Sequence, residues 1–402
     1  MSGDSSGFIL GLDIGTTTIR CHVFNQLTNV TGAASTAVKL HYPKPGYVEI
    51  IPDILFNDIL EVIKKAVEDA NISFSQVKSL GISTQRATFI TWRKDTGEHL
   101  HNLITWKDLR AFKLIKEINS AWSTHALRWA AYCLYLVSRN KKFGVGSKLK
   151  FSSNHMADQS SAMFGSCCFS ENDIKVTMGT GAFLDVNTSN SIHPSLNGMY
   201  PLVAWQIKGS MIYMSEVSCS DAGSLIEWMI SIGLIVNPAQ TLEMAYKVSD
   251  TDGPPINDEK AATGFVGIKP TTTKEHMVRA VLESIVFRIA LAYDLLKNER
   301  NKEYKFIRVN GGVSNNDFIC QMLANLTNLV IERDRSEMSV CGVAFLAGLS
   351  CGVWKDEKEL SSFYKVEKTF KPNSIEFREQ IRNRLSKWMT AVERFKSWYK
   401  ES

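Results

Sequence analysis

The chain has 402 residues, of which 44% are apolar and 22% charged, with a formal net charge of +5. That length predicts two or three domains with substantial cores, and the composition is that of an ordinary globular chain. The mild charge, with no run of lysine and arginine interleaved with aromatics, argues against a nucleic-acid partner.

The polar first seven residues have no basic segment followed by an apolar core, so neither a signal nor a transit peptide is read there and a cytoplasmic location is expected. Residues 8–24 read as a hairpin, followed by a third strand over 34–40. Asp53 is placed to cap a helix whose apolar positions Leu55, Ile59, Val62, Ile63 and Ala66 share one face. Short strands are predicted over 77–82 and 89–92. After Val176 the pattern partly recurs: a hairpin, a strand over 210–214, a helix over 222–232 and a long helix over 274–296. A strand over 306–309 then runs into Gly311-Gly312, and two helical stretches cover 316–329 and 339–354. Residues 250–258 form a loop, and residues 374–399 form a charged helix with Phe377, Ile381, Leu385, Trp388 and Val392 as its packing seam. The apolar runs 126–137 and 343–354 are too short to cross a bilayer, so no membrane span is expected. The eight cysteines lack metal-ligand spacing; most lie in apolar segments and read as small core residues in a reducing compartment.

Two stretches repeat one idea. Leu10-Gly11-Leu12-Asp13-Ile14-Gly15-Thr16-Thr17 and Val176-Thr177-Met178-Gly179-Thr180-Gly181 each run from an apolar strand through a Gly-Thr turn into a second apolar strand. Glycine lets the backbone approach an anion closely, while threonine hydroxyls and turn amides supply donors to anionic oxygens. A lone turn of this kind is ordinary hairpin geometry, but two in the same setting imply two lobes gripping one nucleotide. Asp13, two residues before its turn, is suited to hold a hydrated Mg²⁺ against the same phosphates, the alternative being a turn-capping aspartate.

With both turns in place, further motifs fit one family. The chain resembles the FGGY carbohydrate kinases of the actin-like, hexokinase-like superfamily, and within them the glycerol kinase branch. The residues carrying the resemblance run from end to end: Asp13-Ile14-Gly15-Thr16-Thr17-Thr18-Ile19-Arg20, Gly81-Ile82-Ser83-Thr84-Gln85-Arg86, Trp106-Lys107-Asp108-Leu109-Arg110, Ala157-Asp158-Gln159, Gly179-Thr180-Gly181, Gly311-Gly312 with Asn316, and Gly342-Val343-Ala344 through Trp354. The resemblance implies an α/β fold of two ribonuclease H-like lobes with a nucleotide cleft between them, the first lobe over 1–165 and the second over 166–402. It implies ATP and Mg²⁺ as cofactors and a small polyol as substrate, glycerol being converted to glycerol 3-phosphate. Dimers and tetramers are common in the family, which leaves a homo-oligomer open for this chain.

By the same resemblance, Thr16, Thr17, Thr18 and Arg20 contact ATP phosphates with Thr180 opposite them. Gly223 and Glu227 fall beside the nucleotide, Glu227 replacing a glutamine, and Gly312 and Asn316 fall at the adenosine site. Asp158 matches the catalytic base, and Arg86, Trp106, Phe143, Gln159 and Phe183 match positions lining the polyol pocket. This division suits phosphoryl transfer, which needs one carboxylate to take the acceptor proton and donors to neutralise the transferring group.

The chain also departs from the family pattern. Only nine residues separate Gly146-Ser147-Lys148 from Asp158, so the first lobe is expected to be incomplete, lacking the strand that leads into Asp158. Ala87 stands where glycerol kinases carry a glutamate, Asn310 replaces an aspartate, and the second lobe reads as shortened ahead of Pro254-Pro255. These departures motivate an alternative: an impaired, nucleotide-binding relative, or a splice product, acting through partner contacts. A third reading takes Gly348-Leu349-Ser350-Cys351-Gly352 as the nucleophile elbow of a serine hydrolase, which requires a strand-turn-helix setting.

Overall fold

The computed structural model describes residues 7–85, 87–139, 158–195, 197–248, 265–334 and 337–395. Strands β1 (Phe8–Ile14), β2 (Thr18–Phe24), β3 (Val30–Ala37) and β6 (Val77–Thr84) form a first sheet ordered β3-β2-β1-β6, with β1 antiparallel to β2 and parallel to β6. A small sheet joins β4 (Leu40–His41), β5 (Glu49–Ile50) and β7 (Leu103–Ile104). Helix α1 (Pro52–Asp69) packs Val62, Ala66 and Val67 on Leu10, Leu12, Cys21 and Val23, the helical and strand periods meeting in one apolar layer. Asp53 is not its cap. Pro52 begins the helix, Ile51 stands at the N-cap without a side-chain bond, and Asp53 lies in the first turn, where its charge meets the helix dipole. Helices α2 (Phe112–Ser120) and α3 (Trp122–Ser138) complete the first half.

The short helix α4 (Asp158–Gly165) leads into a second sheet. It contains β8 (Ile174–Met178), β9 (Gly181–Ser189), β10 (Tyr200–Ile207), β11 (Ser210–Asp221), β12 (Phe306–Asn310), β13 (Val330–Arg333) and β14 (Lys368–Phe370). Their order is β10-β11-β9-β8-β12-β13-β14, with β12 parallel to both β8 and β13. Helices α5 (Gly223–Ser231), α6 (Gln240–Lys247), α7 (Lys274–Arg300), α8 (Asp317–Thr327) and α11 (Ile375–Phe395) share one large core with this sheet. The α11 seam packs within the chain, Trp388 meeting Phe287 with ring centroids 5.7 Å apart, although Phe377 stays exposed. No helix among the described residues is long and apolar enough to cross a membrane.

Two helices lie between the sheets. Helix α9 (Met338–Ser350) rests on β1, β2 and β6 with one side and on α4 with the other, and α4 in turn lies on β8, β9 and β10. Glycines make these contacts backbone to backbone. A Cβ on Gly81 would fall 2.0 Å from the Val343 carbonyl oxygen, and one on Gly342 would fall 1.8 Å from that of Ser161. Around them Ile9, Phe24, Phe164, Trp205, Phe345 and Trp354 form a second core that joins the halves. Helix α10 (Glu357–Phe363) follows, adding Leu360 to the same core.

Several expectations change on folding. Residues 89–92 make only isolated bridges, Phe89 to Ile104 of β7 and Trp92 to His99, because β7 is two residues long and offers Phe89 a single partner. The third strand begins at Val30, since the turn after Phe24 sets the β2–β3 register. Ser350 is the last residue of α9, and Gly348 is pressed against the Trp354 ring, so the strand-turn-helix setting of a nucleophile elbow is absent. Among the described residues β6 is an edge strand, with Leu80 and Ile82 at 39% and 55% exposure; residues 149–157, where the missing strand was expected, lie outside them. The shortened segment ahead of Pro254 and the loop over 250–258 lie outside the described residues.

Replacing Gly342 with alanine forces a methyl group into the Ser161 backbone. We expect Gly342→Ala to cost on the order of 1–3 kcal/mol, read as a lowered calorimetric midpoint; an unchanged midpoint would contradict the close contact.

Candidate functional site

Both Gly-Thr turns open onto one cleft of about 200 Å³ between the sheets. In the first, the Gly15 amide donates to the Thr18 carbonyl at 3.0 Å, closing the β1–β2 turn so that Gly15, Thr16 and Thr17 line the cleft. In the second, the Gly179 amide donates to Gly181 at 2.9 Å, and Gly179 and Thr180 line the facing wall. Helix α5 starts against this second turn: the Gly223 amide donates to Gly179 at 2.9 Å, and a Cβ there would lie 2.7 Å from that carbonyl oxygen.

Asp13 and Asp158 meet at the floor. Asp13, next to the end of β1, is 5% exposed, and its Oδ1 has no hydrogen-bond partner among the described residues. Burial pushes its carboxyl up to about 6; neighbouring Asp158 adds to the rise, while the Ser83 and Ser339 hydroxyls and Arg20 oppose it. Asp158 opens α4, so its carboxylate sits at a helix N-terminus, and the Gln159 side chain donates to its Oδ1 at 3.1 Å. Arg20, opposite Asp13 in the β1–β2 register, pairs with Glu337 at 3.0 Å.

Trp106 and Phe183 also line the cleft. The Trp106 indole donates to Thr16 Oγ1 at 2.7 Å, joining the apolar wall directly to the first turn. The segment carrying Trp106 is held by Asp108, which accepts from the Val48 amide at 2.8 Å and from Arg110. On the far wall Gly312 follows Gly311, whose φ of +91° and close approach to the Met178 backbone require glycine.

Of the residues singled out from sequence, Asp13, Thr16, Thr17, Arg20, Trp106 and Asp158 therefore share this cleft with Gln159, Thr180, Phe183 and Gly312. Thr18 closes the turn through its carbonyl rather than lining the cavity. Glu227 is exposed on α5. Asn316 caps α8, its oxygen accepting from the Phe318 and Ile319 amides while its nitrogen donates to Thr241 at 2.8 Å. Arg86 and Phe143 lie outside the described residues.

Further lining residues were given no site role from sequence, among them Thr177 of the second turn motif and Asn310, noted only for replacing an aspartate. Thr177 donates to Asn310 at 2.9 Å, and Asn310 donates to Ser166 at 3.2 Å, so the asparagine found in place of an aspartate is fully used as a strut. Glu337 and Ser339 arrive at the start of α9, and no spacing in the chain marks them. Lys107 was within a quoted motif; its ammonium lies 5.6 Å from the Trp106 ring and adds positive charge to the rim.

Comparison with known proteins bears on this arrangement. The model of the FGGY family of carbohydrate kinases matches twice, its N-terminal domain over residues 8–136 and its C-terminal domain over 174–351. Glycerol kinase 5 of Bos taurus is 33% identical over 512 residues, covering 98% of this chain and 97% of its own. Glycerol kinase 5 of Mus musculus is 34% identical, with 99% and 96% covered. The alignment to the bovine relative spans 512 positions against the 402 residues here, so at least 110 positions lie opposite gaps in this chain. Among solved structures, Plasmodium falciparum glycerol kinase with ADP superposes with a TM-score of 0.79 at 20% identity, covering 97% of this chain and 98% of that one. Ligand-bound xylulose kinase from Lactobacillus acidophilus gives 0.73 at 18% identity, with 96% and 98% covered. The fold is thus that of the actin-like kinases, and the chain belongs to the FGGY family of carbohydrate kinases.

Proposed function

We propose that this chain transfers the γ-phosphoryl group of ATP to a hydroxyl of a small polyol, in the manner of a glycerol kinase. The observation that carries this reading is the convergence of two Gly-Thr turns, from two different sheets, on one cleft whose floor holds Asp158. Relatives named glycerol kinase across nearly the whole length support it over a non-catalytic role.

Each residue then has a physical task. The hydroxyls and amides of the Thr16–Thr17 and Thr180 turns face the phosphates from both sides. Because Thr16 accepts from the Trp106 indole, its own proton points away from the ring and is available to a phosphate oxygen. Asp158 accepts the proton of the attacking hydroxyl, and Arg86 and Gln159 orient the polyol hydroxyls. Trp106 and Phe183 cover the carbon chain and keep water from the phosphoryl group. Gly223 braces the second turn, and Gly312 gives the adenosine end a close backbone approach.

Asp13 suits a hydrated Mg²⁺: its Oδ1 is buried and unpartnered among the described residues, and a second carboxylate lies near enough to raise its pKa. When bound, the ion would neutralise phosphate charge as the transferring group leaves. Without metal, the Asp13 charge is a liability. Its carboxyl rises from 3.8 unfolded to about 6 folded, so the folded chain binds the extra proton between those values. The resulting destabilisation is absent at low pH, grows as pH rises through about 6, and is complete above. Asp334, also pushed to about 6 by burial, acts with the same sign, so only the difference between wild type and variant isolates Asp13.

We expect Asp13→Asn in Mg²⁺-free buffer to be more stable than wild type at about pH 8, by up to ~3 kcal/mol, with the gain vanishing near pH 4 in denaturant titrations. An equal gain at both pH values would sink this account. For catalysis, glycerol-dependent ADP release should fall by about three orders of magnitude in Asp158→Asn while Mg·ATP still binds in calorimetry. Turnover that survives the substitution refutes Asp158 as the base.

A further inference from the structure

Beneath Gln159 lies a charged pair that no step above uses. Lys175 on β8 and Asp185 on β9 are 0% exposed, and Lys175 Nζ stands 2.9 Å from Asp185 Oδ2. The two strands place them opposite each other in register. The same ammonium donates to Gln159 Oε1 at 2.8 Å and to the Gln159 carbonyl oxygen at 3.1 Å. On the far side Asp185 is in register with Glu216, itself fully buried and accepting from the Tyr200 hydroxyl.

We propose that the buried Lys175–Asp185 pair is a positioning device that acts through the Gln159 amide to aim the Asp158 carboxylate into the cleft. This rests on the reading of Asp158 as the base. An amide side chain can present either its oxygen or its nitrogen to a neighbour, and an ammonium is a donor only. Lys175 therefore compels Gln159 to turn its oxygen down, which turns the NH₂ group up onto Asp158 Oδ1. With Oδ1 held, Oδ2 is the oxygen left for the acceptor hydroxyl. The second bond, to the Gln159 backbone, ties the first turn of α4 to β8, so the base is indexed to the same hairpin that carries Thr180. Asp185 neutralises the lysine, so the directed donor sits in the core without an unpaired charge.

A purely structural role and a positioning role predict different outcomes. A buried ion pair replaced by apolar side chains of similar volume is often no less stable, whereas a base displaced by about 1 Å costs on the order of a hundredfold in rate. We expect Lys175→Met/Asp185→Leu to fold with a midpoint close to wild type. Its kcat should fall about tenfold to a hundredfold while KM for Mg·ATP changes by less than about twofold. Adding Gln159→Leu should bring no further loss of kcat, because both changes cut the same link, while the loss of its contact to the polyol is read separately as a raised KM for the polyol. The hydrogen-bonding neutral pair Lys175→Gln/Asp185→Asn should recover most of the lost kcat, and it serves as the test should the apolar pair not fold: a folded neutral pair as inactive as Gln159→Leu overturns the proposal. So does an apolar pair whose kcat stays within about threefold of wild type. A crystal structure of the apolar pair separates the two levels. Loss of the Gln159 to Asp158 contact supports the positioning device even if Asp158→Asn shows that another group is the base, and an intact contact overturns it.

Discussion

The arrangement depends on helix α9 lying directly on the backbone of the first sheet and of α4. Glycines at 81 and 342 bring main chain against main chain at these contacts, the nearest atoms being the Val343 and Ser161 carbonyl oxygens. A methyl group at either would push the halves apart, and the cleft is made of residues from both. Asp13 comes from the first sheet, Asp158 from α4, Ser339 from α9 and Thr180 from the second sheet. Interiors are close-packed and transmit such displacements rather than absorbing them. Gly81 and Gly342 therefore help to set the spacing of the cleft without lining it.

The electrostatics of the cleft follow from this enforced proximity. Two carboxylates share the cleft, Asp13 buried and Asp158 half-buried, and the consequence is an Asp13 carboxyl lifted to about 6 by burial and by Asp158. Positive charge is supplied from the rim by Arg20 and Lys107, and Glu337 holds Arg20 at 3.0 Å. An anionic, metal-carrying ligand suits such a site: the cation answers the carboxylates and the turn donors answer the phosphates.

The first lobe shows what a shortened chain leaves behind. Its sheet ends at β6, where Leu80 and Ile82 face solvent, and α3 presents Trp122 and Trp129 at 84% and 71% exposure. Edge strands with apolar side chains are ordinarily covered or charged. The first-lobe wall of the cleft still keeps Trp106 in place, through its bond to Thr16 and the Asp108 tether.

Local features were legible in the sequence because local physics decides them. The two Gly-Thr hairpins, the amphipathic α1, the buried α7 and the α11 seam follow from period-two and period-3.6 patterning and from turn chemistry. The repeated turn chemistry pointed to one nucleotide site shared by both turns and Asp13, and the family likeness added Asp158 to it. What only the tertiary structure decided is how those residues meet. Trp106 and Thr16 are 90 residues apart and hydrogen-bonded, Asn316 is consumed as a helix cap, and Glu337 enters the cleft because α9 crosses to the other half. The Lys175–Asp185 pair reads in sequence as two polar residues on strands expected to be apolar. Its partner, Gln159, lies on another element, and no periodicity within a strand records what will pack above it. Sequence determines the faces of each element; which faces touch is set by the packing of backbones, and here glycines make that packing closest.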